Sequence, residues 1–178
     1  MLLLVAVFGA TSAWAQGRFE IRSAYVERGE RVYELNATLE FDLPEDARAA
    51  VRDGAPLTLR MEIVVRRQRT YWLDETVATL DQNYELVYHA LTERYLVRNL
   101  NSGEQASYAT LDSALDALRV VSRLPILDQS LVRARTRHEM SVRAALDIRT
   151  MPDTLRFIMF WSDDWRQRSE WYTWSPQL

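Results

Sequence analysis

Two histidines, His89 and His138, are the side chains best suited to proton transfer or metal ligation, and they stand 49 positions apart. Neither has a second histidine at i+2 or i+4, the spacing that sets two ring nitrogens on one side of a strand or helix. Both are expected to be hydrogen-bonded histidines of the core or its rim. His89, in Tyr88-His89-Ala90, is the one position from which an enzymatic role would be argued. The adjacent acids Asp74-Glu75 and Asp163-Asp164 read as turn or cap residues. Neighbours on a strand point to opposite faces, and no D-x-D-x-D-G loop surrounds these pairs. The chain has no G-x-S-x-G elbow, no S-x-x-K and no H-E-x-x-H. It has no cysteine, which excludes disulfides, thiolate metal sites and a thiol nucleophile. All 22 basic residues are arginine, so Schiff-base and phosphate-loop lysine chemistry is excluded too. Gly17, Gly29, Gly54 and Gly103 are too dispersed to cradle a phosphate. The expectation is a protein that is not an enzyme, with no catalytic residue, no cofactor and no metal.

Two features point to binding instead. Arg133, Arg135 and Arg137 would line one face of an extended segment, where their planar forks suit a carboxylate or phosphate. Arg66-Arg67-Gln68-Arg69 closes another strand, and pairing with acids on a neighbouring strand is the plainer role for both clusters. Four of the six tryptophans, Trp161, Trp165, Trp171 and Trp174, fall in the last 18 residues. In an extended tail Trp165 and Trp171 share one face, while Tyr172 and Trp174 share the other. One set would pack inward, and the other would present rings to a sugar or a protein partner. The candidate interaction surface is therefore Arg133, Arg135, Arg137, Trp165, Trp171 and Trp174.

Charge excludes some partners. The net charge is −3 at pH 7, with 12 arginines against 15 acids in residues 16–100 and 10 against 10 in residues 101–178. Neither half makes the basic field that nucleic acid or anionic lipid would require.

The elements that must position these residues are mostly strands. Tyr33, Leu35, Ala37, Leu39 and Phe41 alternate with polar residues, as do Leu57 to Val65 and Met140 to Ile148 within a longer alternating run from Val132. Shorter strands are expected at Phe19–Tyr25, Tyr84–Ala90 and Tyr95–Val97. Pro44–Arg52 reads as a short helix with Pro in its first turn and Gly54 beyond its end. Leu111, Leu115, Leu118 and Val121 recur at helical spacing, and Asp153–Trp161 is a third helical segment. Strands joined by hairpins, with two or three short inserted helices, define a mainly β fold: an antiparallel β-sandwich, immunoglobulin-like in general architecture.

At the N-terminus, the apolar run Leu2–Ala10 is followed by Ala13-Trp14-Ala15. That is the pattern of an export signal, and the run is too short to span a bilayer. Residues 1–15 are expected to be removed after Ala15, leaving one β-sandwich domain over residues 16–178, located in the periplasm with no membrane segment of its own. Asn36-Ala37-Thr38 matches a glycosylation sequon but falls in the middle of a strand.

The order of landmarks resembles the exported proteobacterial domain-of-unknown-function family 4390. The landmarks are Phe19-Glu20-Ile21, Tyr33 to Phe41, Leu43 to Leu57, Tyr71-Trp72, Tyr84-Glu85-Leu86, Tyr88-His89-Ala90-Leu91, Tyr95-Leu96-Val97, Arg143 to Asp147, Met151-Pro152, Leu155-Arg156 and Trp165 to Trp174. The resemblance covers almost the whole mature chain, with Met151 standing where the family pattern has Leu. It implies export, carries no assigned catalytic residue, and favours His89 over His138 as the retained histidine. Members of that family are often encoded beside a sensor kinase of the nitrogen-regulation type, which implies a partner in membrane signalling. The expected function is a protein-interaction or accessory module with an unknown protein partner in the cell envelope. The alternatives are a glycan- or small-ligand-binding domain using the C-terminal tryptophans, and an enzyme built near His89.

Overall fold

The computed structural model describes residues 19–69, 73–132, 136–147 and 167–178. Strands β1 (Phe19–Arg28) and β2 (Val32–Phe41) form a hairpin. Its turn depends on Gly29, whose N–H donates to the Val32 carbonyl at 2.9 Å, and where a Cβ would meet the Glu34 carboxylate at 2.9 Å. Helix α1 (Glu45–Arg52) follows Pro44 and buries Ala47, Ala50 and Val51, an apolar stripe at helical spacing. Then come β3 (Leu57–Arg67), β4 (Glu75–His89), β5 (Arg94–Asn99) and β6 (Gln105–Tyr108). Helix α2 (Leu111–Leu118) is opened by a capping box between Thr110 and Ser113. Strand β7 (Val120–Asp128), a 3-10 turn at Gln129–Leu131, β8 (His138–Asp147) and β9 (Tyr172–Trp174) complete the order.

Two antiparallel sheets result, β1-β2-β7 and β6-β5-β4-β3-β8-β9, with β8 packed near β1 and β4 near β7. Between them lies the core. Leu35, Leu39 and Phe41 of β2 face Leu59, Met61, Ile63 and Val65 of β3 and Met140, Val142 and Ala144 of β8, closed at the edges by α1 and α2. The expected mainly β, sandwich-like class is what the strand alternation produces.

Two local expectations need correction, and one strand goes unannounced in the sequence. Val121 does not extend α2, which stops at Leu118; Val120 and Val121 are β-branched and open β7, with Val121 buried opposite Ala37. Strand β4 runs from Glu75, well ahead of Tyr84, because β3 offers it a pairing edge as far as Arg67. Strand β7 has no clean alternation in sequence, since its register against β2 breaks twice, near Ile126 and near Ser122-Arg123. The break at Arg123, which has φ +52°, is held by Asn36. The Asn36 Oδ1 accepts from the Arg123 N–H at 3.1 Å, and its Nδ2 donates to Glu27 at 3.3 Å. That amide is buried and engaged, so the sequon is not presented to solvent. The helical reading of Asp153–Trp161 and the export signal lie outside the described residues.

Candidate functional site

The nominated histidines do not converge. His89 closes β4 opposite Arg94, is exposed, and has its Nδ1 3.0 Å from the Thr92 hydroxyl in the turn that follows. His138 opens β8 opposite Arg67, at the other end of β3. The 11 residues of β3 separate them, about 35 Å of strand at ~3.3 Å per residue. His138 is 1% exposed, with its Nε2 lacking a hydrogen-bond partner among the described residues. Burial first, and the adjacent Arg67 guanidinium second, push its pKa below the ordinary value, against a hydrogen bond to the Thr136 backbone that raises it. It is a neutral core histidine.

Of the nominated interaction residues, Arg133, Arg135 and Trp165 lie outside the described residues. Arg137 is exposed, and its carbonyl accepts from the Gln68 N–H at 2.9 Å. The Arg66-Arg67-Gln68-Arg69 cluster is paired with acids. Arg67, largely buried, donates to Glu75 at 2.9 Å and to the Leu131 carbonyl at 3.1 Å. Arg69 also donates to Glu75, and Arg66 lies 3.8 Å from Glu139. Asp74 accepts from the Arg69 N–H at 3.2 Å just ahead of β4, whereas Glu75 is not a turn or cap residue but opens that strand opposite Arg67.

Trp174 and Tyr172 share one face of β9, with ring centroids 5.6 Å apart, and both pack on the core. Trp171 points the other way, under the Arg143 guanidinium at 4.3 Å from its ring centroid. Arg143 donates to Glu62, Glu62 lies 3.8 Å from Arg60, and Arg60 donates to Asp81 at 2.6 Å. The outer face of the large sheet is thus crossed by an alternating row of charges that neutralise one another, with Trp171 at its end.

The concavity lies elsewhere. Beyond Asn99, β5 turns away from β4 through Leu100–Glu104, with Gly103 at φ +78°. A cleft of about 800 Å³ opens between that turn, the inner face of β4 to β6, the end of α2 and β7. Its apolar wall includes Leu80, Val97, Leu118, Val121 and Leu124. At its floor the buried Gln82 donates to the Asn99 Oδ1 at 2.6 Å. Asn99 Oδ1 also accepts from the N–H groups of Asn101 at 3.0 Å and Ser102 at 3.2 Å, which fixes the turn. Asn101 in turn clamps β4, accepting from the Asn83 N–H at 2.9 Å and donating to the Asp81 carbonyl at 2.7 Å.

Tyr84 and Tyr108 also line the cleft. The Tyr84 phenol is pushed up by burial, with its Gln82 hydrogen bond opposing and the Glu104 charge adding to the rise, so it stays a neutral hydroxyl at physiological pH. Arg123 on the rim is engaged by Glu34 at 3.1 Å. Glu104 on the rim accepts from the Ser102 hydroxyl at 3.2 Å and has no cationic partner among the described residues. Two polar residues on an otherwise apolar strand face, Gln82 between Leu80 and Tyr84 and Asn99 beyond Val97, are the signal that sequence reading passed over. Among the described residues no three His, Asp or Glu side chains gather as metal ligands, and no helix is long and apolar enough to cross a membrane.

The architecture defines a sandwich-like β-domain with an open cleft at one end of its sheets. A family model described as "Domain of unknown function (DUF4390)" matches residues 16–175, and the chain belongs to that family. No curated protein and no solved structure matches it.

Proposed function

We propose that this chain is an exported, non-enzymatic accessory module of the cell envelope that works by binding, with a membrane sensor kinase as the class of partner. The observation that carries the reading is the lining of the cleft. It combines apolar side chains, amides and two tyrosines with one acid and one ion-paired arginine on its rim. Such a surface offers shape and hydrogen bonds to a docked molecule rather than an acid and a base in reach of each other. Export is supported by the apolar run Leu2–Ala10 with Ala13 and Ala15 after it.

The test has two parts. The protein recovered from the periplasm should begin at Gln16, a length of 178 − 15 = 163 residues by intact mass. A photo-crosslinking residue placed at Tyr108 should give a discrete envelope-protein adduct in living cells, and one placed at exposed Tyr25 should not. A retained Met1–Ala15, or identical labelling from both positions, counts against the reading.

A second reading, glycan binding by the C-terminal aromatics, has support in Trp171, which is 40% exposed. Titrating tryptophan fluorescence with peptidoglycan fragments separates the two: a saturating shift favours the glycan.

A further inference from the structure

Strand β4 pairs with β3 from Glu75 to Leu86 but with β5 only from Tyr84 to His89. Among the described residues no second strand flanks its earlier half, at the position β5 would fill had it not turned away at Asn99. Backbone direction along this edge follows from the ladder. The Asn83 carbonyl accepts from the Leu100 N–H at 2.9 Å, and the Asp81 carbonyl accepts from Asn101, so odd-numbered residues direct their amides to this side. Thr79, exposed and two residues earlier, aims its N–H and C=O into the same position, as Asp81 does its N–H. Among the described residues no strand pairs with them.

The other edges are guarded. Strand β1 is broken at Arg22 and carries Glu20, Glu27 and Arg28; β7 contains Pro125 and two register breaks; β6 has 4 residues and β9 has 3. The β4 edge at Thr79 has no proline, the charge of Asp81 on it is tied to Arg60 at 2.6 Å, and it borders the cleft, whose lining includes Leu80 and Gln82 from this same half-strand.

We propose that the cleft takes an extended peptide segment of the partner protein, which adds as a short strand to β4 at Thr79 and Asp81. This deepens the binding reading above and rests on it. A strand in this position points alternate side chains between the sheets, where Leu80, Val121 and Leu124 receive an apolar group. The opposite set faces the polar side of the sheet. Glu104, the rim acid with no cationic partner among the described residues, selects a basic residue at the neighbouring position of the peptide. The occupant is thus an extended segment carrying an apolar side chain beside an arginine or lysine.

The experiment uses the purified full chain and a random-sequence decapeptide library. Selected peptides should share an apolar residue next to a basic one, and should shift the Thr79 and Asp81 amide resonances on binding. N-methylation of alternate peptide nitrogens should weaken binding at least 10-fold. Thr79→Pro removes an N–H that points away from β3 and fixes the backbone φ there; it should abolish the interaction in a chain whose circular dichroism shows it still folded. Glu104→Lys, at an exposed position, should lower affinity at least 5-fold and so tests the site without any change in the strand. Peptides that shift residues elsewhere, survive N-methylation, or bind Thr79→Pro and Glu104→Lys normally would overturn the proposal, as would a library with no binder. If the Tyr108 crosslink in cells still forms under any of those results, the binding module stands and only the strand-addition mode falls. Shifts induced by a peptidoglycan disaccharide, and not by peptide, would overturn it in favour of a sugar.

Discussion

Replacing His138 with phenylalanine should make the protein slightly less stable at pH 8 and remove a loss of stability that sets in below about pH 6.5. The ring is 1% exposed, sits beside Arg67, and lacks a partner at Nε2 among the described residues. Burial and the arginine both oppose a second proton, so the folded-state pKa lies below the unfolded value of about 6.5. Below that pH the unfolded chain binds a proton that the folded chain refuses, so stability falls as pH falls. The loss begins near pH 6.5 and continues until the depressed folded pKa is passed. Its slope reaches at most about 1.4 kcal/mol per pH unit, the linkage value for one proton. Phenylalanine keeps the ring's shape but gives up the hydrogen bond to the Thr136 backbone, worth about 1 kcal/mol, at every pH. The gap between the two stability curves should therefore narrow as pH falls below about 6.5. Urea denaturation followed by tryptophan fluorescence, at half-unit steps from pH 8 to pH 5, reads both limbs. Parallel curves through that window would refute the assignment of the acid sensitivity to His138.

Three further outcomes follow from the geometry. His89→Gln should cost less than about 1 kcal/mol, because the ring is exposed and its Thr92 contact competes with water; complementation of a deletion strain should survive, and its loss at unchanged melting temperature would revive a site near His89. Trp171→Ala should cost about 1–2 kcal/mol by thermal melting, below the 3–5 of a fully buried tryptophan, since the residue is 40% exposed and what it loses is the stack under Arg143. Thr110→Ala should cost about 1 kcal/mol by removing the acceptor for the Ser113 N–H at the start of α2, and Thr110→Asn should restore most of it.

What the sequence determined by itself was the local grammar. Period-two alternation over Tyr33–Phe41 and Leu57–Val65 commits those segments to half-buried strands, because only that conformation puts Leu35, Leu39, Met61 and Ile63 on one side. Pro44 and Thr110 mark helix starts through their own backbone and hydroxyl chemistry, which needs no distant partner. The burial of His138 was legible for the same reason, as an even-numbered position on the apolar face of β8.

The tertiary structure decided whatever depends on residues far apart in the chain. The register break at Ser122-Arg123 is held by Asn36, 87 residues before Arg123, and no local pattern announces a bulge held from another strand. Acid pairing was the plainer expectation for the arginine clusters, but only the fold shows that the acid closing Arg67 and Arg69 is Glu75. Arg143 is likewise closed by Glu62, 81 residues away, and the stack on Trp171 extends that closed row. The cleft is tertiary in the same sense. It exists because β5 departs from β4 at Asn99 while β7, of the other sheet, forms the facing wall, and the open edge at Thr79 is defined by a neighbour that turns away. A sequence specifies a strand through its own side chains, but an empty place beside a strand is specified only by where every other strand has gone.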